Sequence, residues 1–63
     1  MRKFAYYELG QDHPIIVTED EIRETYYPYW QRKMKEIQKE EFINFENCLN
    51  DWIVVNWAWL IEN

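Results

Sequence analysis

The segment Asp51–Glu62 constrains the fold of this chain more than any other. It holds three of the four tryptophans, separated mainly by β-branched residues, and it carries no charge between its two end residues. Such a run has to be buried on most sides, and its β-branched and aromatic content favours a strand. Because both faces of that strand are apolar, we expect it to lie at the centre of a sheet.

One face of this predicted strand has no cover within the chain. A helix can cover the side that carries Ile53 and Val55, but nothing is left for the side that carries Trp52, Val54 and Ala58. Exposed contiguous apolar patches usually mark interaction sites. We therefore predict that Trp52, Val54 and Ala58 form a homodimer interface or contact a target protein.

The first half of the chain has the pattern of a hairpin followed by a helix. Residues 3–9 and 15–17 are predicted strands, joined by a turn over 10–14 that holds the only glycine and one of two prolines. Thr18 and Glu21 have the spacing of a capping box, and Val17 can pack on Ile22 as a hydrophobic staple. These signals place a helix start at Thr18.

The helical pattern continues across a proline. Apolar residues recur at three- and four-residue steps from Ile22 to Ile37, and the stripe stays in phase across Pro28. Since an interior proline removes one hydrogen bond and clashes with the preceding turn, we expect a kinked but nearly continuous helix. A further helical turn within 46–50 is expected to place Cys48 and Leu49 inward.

Together these segments predict one α+β domain over residues 1–63. Its order is β-β-α-α-β, with a three-stranded antiparallel sheet and a Pro-kinked helical segment packed on one face.

Composition and charge limit the function. A 63-residue chain that is 48% hydrophobic and carries 12 aromatic residues has more apolar surface than a small core can enclose, so we expect a partner. The net charge of −5 disfavours direct binding to a nucleic-acid backbone and suits a basic partner protein. One cysteine, no visible leader and no apolar run long enough for a bilayer predict a soluble, cytoplasmic protein without membrane contact.

The residues that could carry chemistry are few. His13 lies in a turn beside Asp12, and Cys48 has only acidic neighbours, which raise a thiol pKa. One cysteine and one histidine cannot assemble a structural zinc site, and a single glycine gives no phosphate-binding loop. We therefore predict a protein that is not an enzyme and that needs no metal or cofactor.

The predicted protein contacts lie on the first helix. Aromatic residues cluster around Pro28, and tyrosine and tryptophan are enriched among the residues that dominate interface energies. Acidic residues precede this cluster at the start of the helix. The predicted protein-binding residues are Tyr27, Tyr29, Trp30, Glu19, Asp20 and Glu24.

Four sequence stretches resemble small proteins found in phage and bacterial genomes. They are Tyr-Tyr-Glu-Leu-Gly, Ile-Val-Thr-Glu-Asp-Glu-Ile, Tyr-Tyr-Pro-Tyr-Trp and the run from Asn47 to Trp59. In size, acidic charge and absence of catalytic residues the chain is similar to phage inhibitors of host defence, such as anti-CRISPR proteins. The resemblance implies inhibition by protein contact, with a nucleic-acid-binding defence effector as a suitable target.

Two other functions are compatible with the same residues. One is a sponge that binds a small signalling nucleotide in an aromatic pocket at a dimer interface, with Arg32 or Lys33 on the phosphate. The other is a structural or regulatory subunit of a larger complex, which would be unstable without its partner.

Overall fold

An N-terminal hairpin and a C-terminal strand form one antiparallel sheet in the computed structural model, which describes residues Met1–Asn63. The elements in chain order are β1 (Lys3–Tyr6), β2 (Ile15–Thr18), α1 (Glu19–Glu36), a 3-10 turn (Glu40–Phe42), α2 (Phe45–Asn56) and β3 (Trp59–Glu62). The strand order is β2-β1-β3, with β1 antiparallel to both neighbours. The predicted α+β fold and its β-β-α-α-β order are therefore confirmed.

Helix α1 begins where the capping box predicts. The backbone N–H of Glu21 donates to Oγ1 of Thr18 at 3.2 Å, and the backbone N–H of Thr18 donates to Oε1 of Glu21 at 3.3 Å. The helix then runs through Pro28 without ending, as the in-phase apolar stripe predicts. Neither helix combines the length and the apolar character that crossing a membrane requires.

The prediction of one long C-terminal strand is wrong. Within this segment, residues 51–56 belong to α2, and only Trp59–Glu62 form a strand. Asn44 starts α2, because its Oδ1 accepts a 2.8 Å hydrogen bond from the backbone N–H of Asn47. The predicted inward placement of Cys48 and Leu49 is confirmed, since both are buried.

The central strand is β1 rather than the C-terminal strand. Strand β3 lies at an edge of the sheet, and all four of its residues are exposed. The short hairpin strand takes the central place because the rest of the apolar C-terminal run is used to build α2.

The core lies between the sheet and the two helices. Its buried residues are Phe4, Ile22, Leu49 and Trp52. The Trp52 ring meets Phe4 and Tyr6 edge to face, with centroid separations of 5.9 and 5.6 Å, geometries that aromatic pairs favour. Trp52 is only 7% exposed, so it joins the helix to the sheet within one chain.

The predicted interface residues do not share a strand face. Trp52 is in the core, Val54 is exposed on α2, and Ala58 is half-buried against the core from the link between α2 and β3. The prediction of an uncovered Trp52–Val54–Ala58 strand face is therefore wrong, because its first half is helical. An uncovered sheet face does exist, but other residues form it.

Candidate protein-interaction surface

The side of the sheet that faces away from the helices carries an exposed apolar surface. Residues opposite one another in antiparallel strands project to the same side, and Ala5 lies opposite Ile16 in β2 and Trp59 in β3. Tyr7 follows β1 with the same alternation, and its ring centroid is 5.7 Å from that of Trp59. We call Ala5, Tyr7, Ile16 and Trp59 the outer sheet face.

The large side chains of this face are open to solvent. Tyr7 is 54% exposed, Ile16 is 49% exposed and Trp59 is 41% exposed. Ala5 is buried between them on the central strand, so its small side chain forms the floor of the surface. Two aromatic rings and one branched aliphatic side chain therefore lie side by side without a covering layer.

One end of the outer sheet face carries a cross-strand ion pair. The register between β1 and β3 shifts between Lys3 and Phe4, so Phe4 lies opposite Leu60 whereas Lys3 lies opposite Glu62. This bulge brings Glu62 to the side of Lys3, where Nζ lies 3.5 Å from Oε2. The charges that the register places on this face therefore cancel.

A second concave surface lies on the helical side. An open groove of about 470 Å³ runs between α1, the 3-10 turn and α2. Its lining is half apolar and half polar: Trp30, Met34, Phe42 and Val54, with Lys39, Asn47, Asn50 and Asp51. Both charge signs line it, so the groove has no single preferred charge in a ligand.

The predicted aromatic contact residues are not presented together. Trp30 is buried, and Tyr27 lies half-buried between it and Phe45, whose ring it meets edge to face at 5.6 Å. Only Tyr29 is exposed. Tyr27 and Trp30 therefore pack α1 against the rest of the chain, whereas Tyr29 remains free for contact.

The predicted acidic contact residues also separate. Glu19 is largely occupied by Arg2, which donates to it from its backbone N–H at 3.0 Å and from its guanidinium at 3.1 Å. These hydrogen bonds lower the pKa of Glu19 to about 2. Asp20 is exposed and accepts a 3.0 Å hydrogen bond from Arg23, and Glu24 is exposed on the same helix.

Arg2 connects the start of the sheet with both helices. Besides Glu19 on α1, its guanidinium donates at 2.6 Å to Glu46 on α2. The hydrogen bonds from Arg2 also lower the pKa of Glu46. This charged junction stabilises the inner, helix-covered side of the sheet.

The residues whose side chains could take part in a reaction lie apart from the outer sheet face. Cys48 is fully buried, and burial, followed by the nearby charge of Asp51, raises the pKa of its thiol to about 11. It therefore stays protonated at neutral pH. His13 and Asp12 are exposed neighbours with Nδ1 and Oδ1 2.8 Å apart. No group of three or more potential His, Cys, Asp or Glu ligands forms a metal site.

The sequence contained a signal for the outer sheet face, although its residues were not predicted. Along β1 the residues alternate, so Phe4 and Tyr6 share one side while Ala5 and Tyr7 share the other. That alternation places Tyr7 opposite the core. No family model, no curated protein and no solved structure matches this chain.

Proposed function

We propose that this chain is a non-enzymatic protein-binding module that acts through its exposed surfaces. The observation that carries the proposal is the outer sheet face, where Tyr7, Ile16 and Trp59 expose adjoining apolar surface. Apolar area removed from water contributes roughly 25 cal/mol per Å². Tyrosine and tryptophan are also the side chains that most often dominate interface energies.

A more specific role is inhibition of a host defence system, as the resemblance to phage proteins implies. On the helical side Asp20 and Glu24 remain exposed and suit a basic protein surface, and Tyr29 is exposed on the same helix. Complementary charge would speed association with such a target. The nucleic-acid-binding groove of a defence effector is basic and is the partner class we propose.

The test of protein binding is capture of a target from an extract of the host cell, using the tagged chain and matched variants. The variants are Ile16→Lys on the outer sheet face, Asp20→Lys on α1 and Val55→Lys as the control. Val55 is exposed and β-branched like Ile16, but it lies on α2. A target that binds the unmodified chain and the control but fails to bind at least one of the two surface variants, Ile16→Lys and Asp20→Lys, supports the proposal, and capture that neither surface variant changes contradicts it.

A nucleotide sponge is the second candidate, and one observation favours it. Tyr29, Arg32, Lys33 and Glu36 line a shallow hollow of about 300 Å³ on α1. A base could stack on the tyrosine while the two cations hold a phosphate. A thermal-shift screen of cyclic and linear nucleotides, repeated with Arg32→Glu, would contradict this role if no nucleotide raises the melting temperature of the unmodified chain.

A structural subunit of a larger complex is the third proposal. Only seven of the 63 residues are buried, which is a small core for independent stability. A subunit of this kind should unfold or aggregate when it is produced alone. Cooperative unfolding of the isolated, dispersed chain would contradict this role.

A further inference from the structure

We infer that a second copy of this chain covers the outer sheet face. The inference rests on the proposed protein-binding function and names the partner of that surface. It predicts a two-fold symmetric dimer in which the two outer sheet faces pack against each other. The same patch then serves both copies, as two-fold interfaces require.

The charge distribution favours a second copy over a charged foreign partner. The chain carries a net charge of −5, yet the charged residues at the outer sheet face are Lys3 and Glu62, which pair with each other. Two copies can therefore bring these faces together without placing uncompensated like charges in contact. A strongly basic or acidic partner gains no electrostatic attraction from this face.

Sheet-on-sheet packing also fits the layer structure of the fold. All helices lie on one side of the sheet, so two stacked sheets would give a helix–sheet–sheet–helix sandwich. Packed sheets lie about 10 Å apart, a distance that interdigitating side chains such as Tyr7, Ile16 and Trp59 fill. Pairing along the edge of β3 would instead leave two outer sheet faces uncovered.

This arrangement leaves the helical surfaces free for a target. Asp20, Glu24 and Tyr29 lie on α1, on the side of the sheet that the dimer does not use. Each dimer would thus present two copies of α1, each with an acidic first turn exposed to a target. Self-association and target binding would then be separable by mutation.

The experiment is light scattering after size exclusion, with the full chain over a wide range of concentrations. We expect a mass of twice 8.0 kDa at high concentration, falling to one chain on dilution. Ile16→Lys should raise the dimer dissociation constant by at least about tenfold, or abolish the dimer. Val55→Lys is the matched control and should dimerise like the unmodified chain. Tyr7→Lys, which lies outside the strands, provides a second outer-face variant, and circular dichroism confirms that each variant is folded.

A mass of one chain at every concentration would overturn the inference. Association that Val55→Lys weakens and both outer-face variants leave unchanged would overturn it too. These outcomes are separate from failure of the proposed function. A monomer that still captures a target through Ile16 keeps the binding role and loses only the dimer, whereas a dimer that captures nothing keeps the dimer and loses the binding role.

Discussion

The two faces of the sheet are both apolar, but only one is covered. On the inner face, Phe4 and Tyr6 meet Trp52 of α2 edge to face. On the outer sheet face, Trp59 lies against Tyr7, and each of the two residues is at least two fifths exposed. The same residue types therefore stabilise the fold on one side and remain available for binding on the other.

The two faces differ because both helices pack on the same side of the sheet. Thr18 links β2 directly to α1, and the backbone N–H of Glu19 donates to the carbonyl of Arg2 at 2.9 Å, which holds the start of α1 beside β1. Helix α2 contributes Leu49 and Trp52 to the same side. Both helices therefore lie on the inner face, and none of the described elements covers the outer one.

The largest expected effect is the loss of stability on replacing the core residue Trp52, compared with the same change at Trp59 on the outer sheet face. Trp52→Ala should lower the free energy of unfolding by about 3–5 kcal/mol, because it leaves a cavity among Phe4, Ile22 and Leu49. Trp59→Ala should cost less in the monomer, about 1–2 kcal/mol, because 41% of that residue is already exposed. Urea unfolding at low protein concentration measures both, and Trp52→Phe serves as a milder variant if the alanine variant does not fold. Equal losses at the two positions would contradict the assignment of inner and outer faces.

A conservative pair sharpens the same comparison. Ile22→Val removes one buried methylene and should cost about 0.5–1.5 kcal/mol. Ile16→Val makes the identical change on the outer sheet face, where half of the side chain is exposed, and should be close to neutral in the monomer. At concentrations that favour the dimer, Ile16→Val should instead weaken association. A loss at Ile16 as large as that at Ile22 under dilute conditions would show that something already covers the outer face.

The ion pairs of Arg2 with Glu19 and Glu46 should make the stability of the fold depend on pH in the acidic range. The folded pKa of Glu19 is about 2, below its ordinary value of 4.5. The carboxylate therefore contributes stability above about pH 4.5, and that contribution is lost as the pH falls towards 2. Glu19→Gln should be less stable than the unmodified chain at neutral pH and should lose less stability over this acid range. Glu24→Gln, an exposed carboxylate on the same helix, is the control, and melting temperatures measured across pH give the comparison.

Most of the first half of the fold could be predicted from the sequence, because its signals are local. The turn over 10–14 contains the only glycine, and Thr18 and Glu21 have the spacing of a capping box. The apolar stripe of α1 stays in phase across Pro28, and the structure confirms a continuous helix there. Each of these features depends on residues within one or two turns of each other.

In the second half, the predicted strand start is wrong because α2 has no distinctive end signal. Between Asn44 and Asn63 there is neither glycine nor proline, so nothing marks the boundary between α2 and β3. β-branched residues such as Val54 and Val55 favour strands, but packing of Leu49 and Trp52 against the sheet overrides that preference. The predicted interaction surface is wrong for the same reason. Because Trp52 lies in a helix, its side chain enters the core, and other residues form the exposed sheet face.

The smallest expected effect concerns the residue at the boundary between α2 and β3. Trp57 follows the last residue of α2 with φ of +55°, a left-handed conformation that glycine adopts far more readily. There the backbone N–H of Ala58 donates to the carbonyl of Ile53 at 2.9 Å, which closes the helix end. Trp57 is 89% exposed, so its ring contributes little packing.

Trp57→Gly should therefore raise the free energy of unfolding by about 0.5–1 kcal/mol, whereas Trp57→Ala, which keeps a Cβ, should not. If glycine destabilises the monomer in urea unfolding, the tryptophan ring packs on the fold. If it stabilises the monomer but reduces capture of a target, this exposed ring contacts the target.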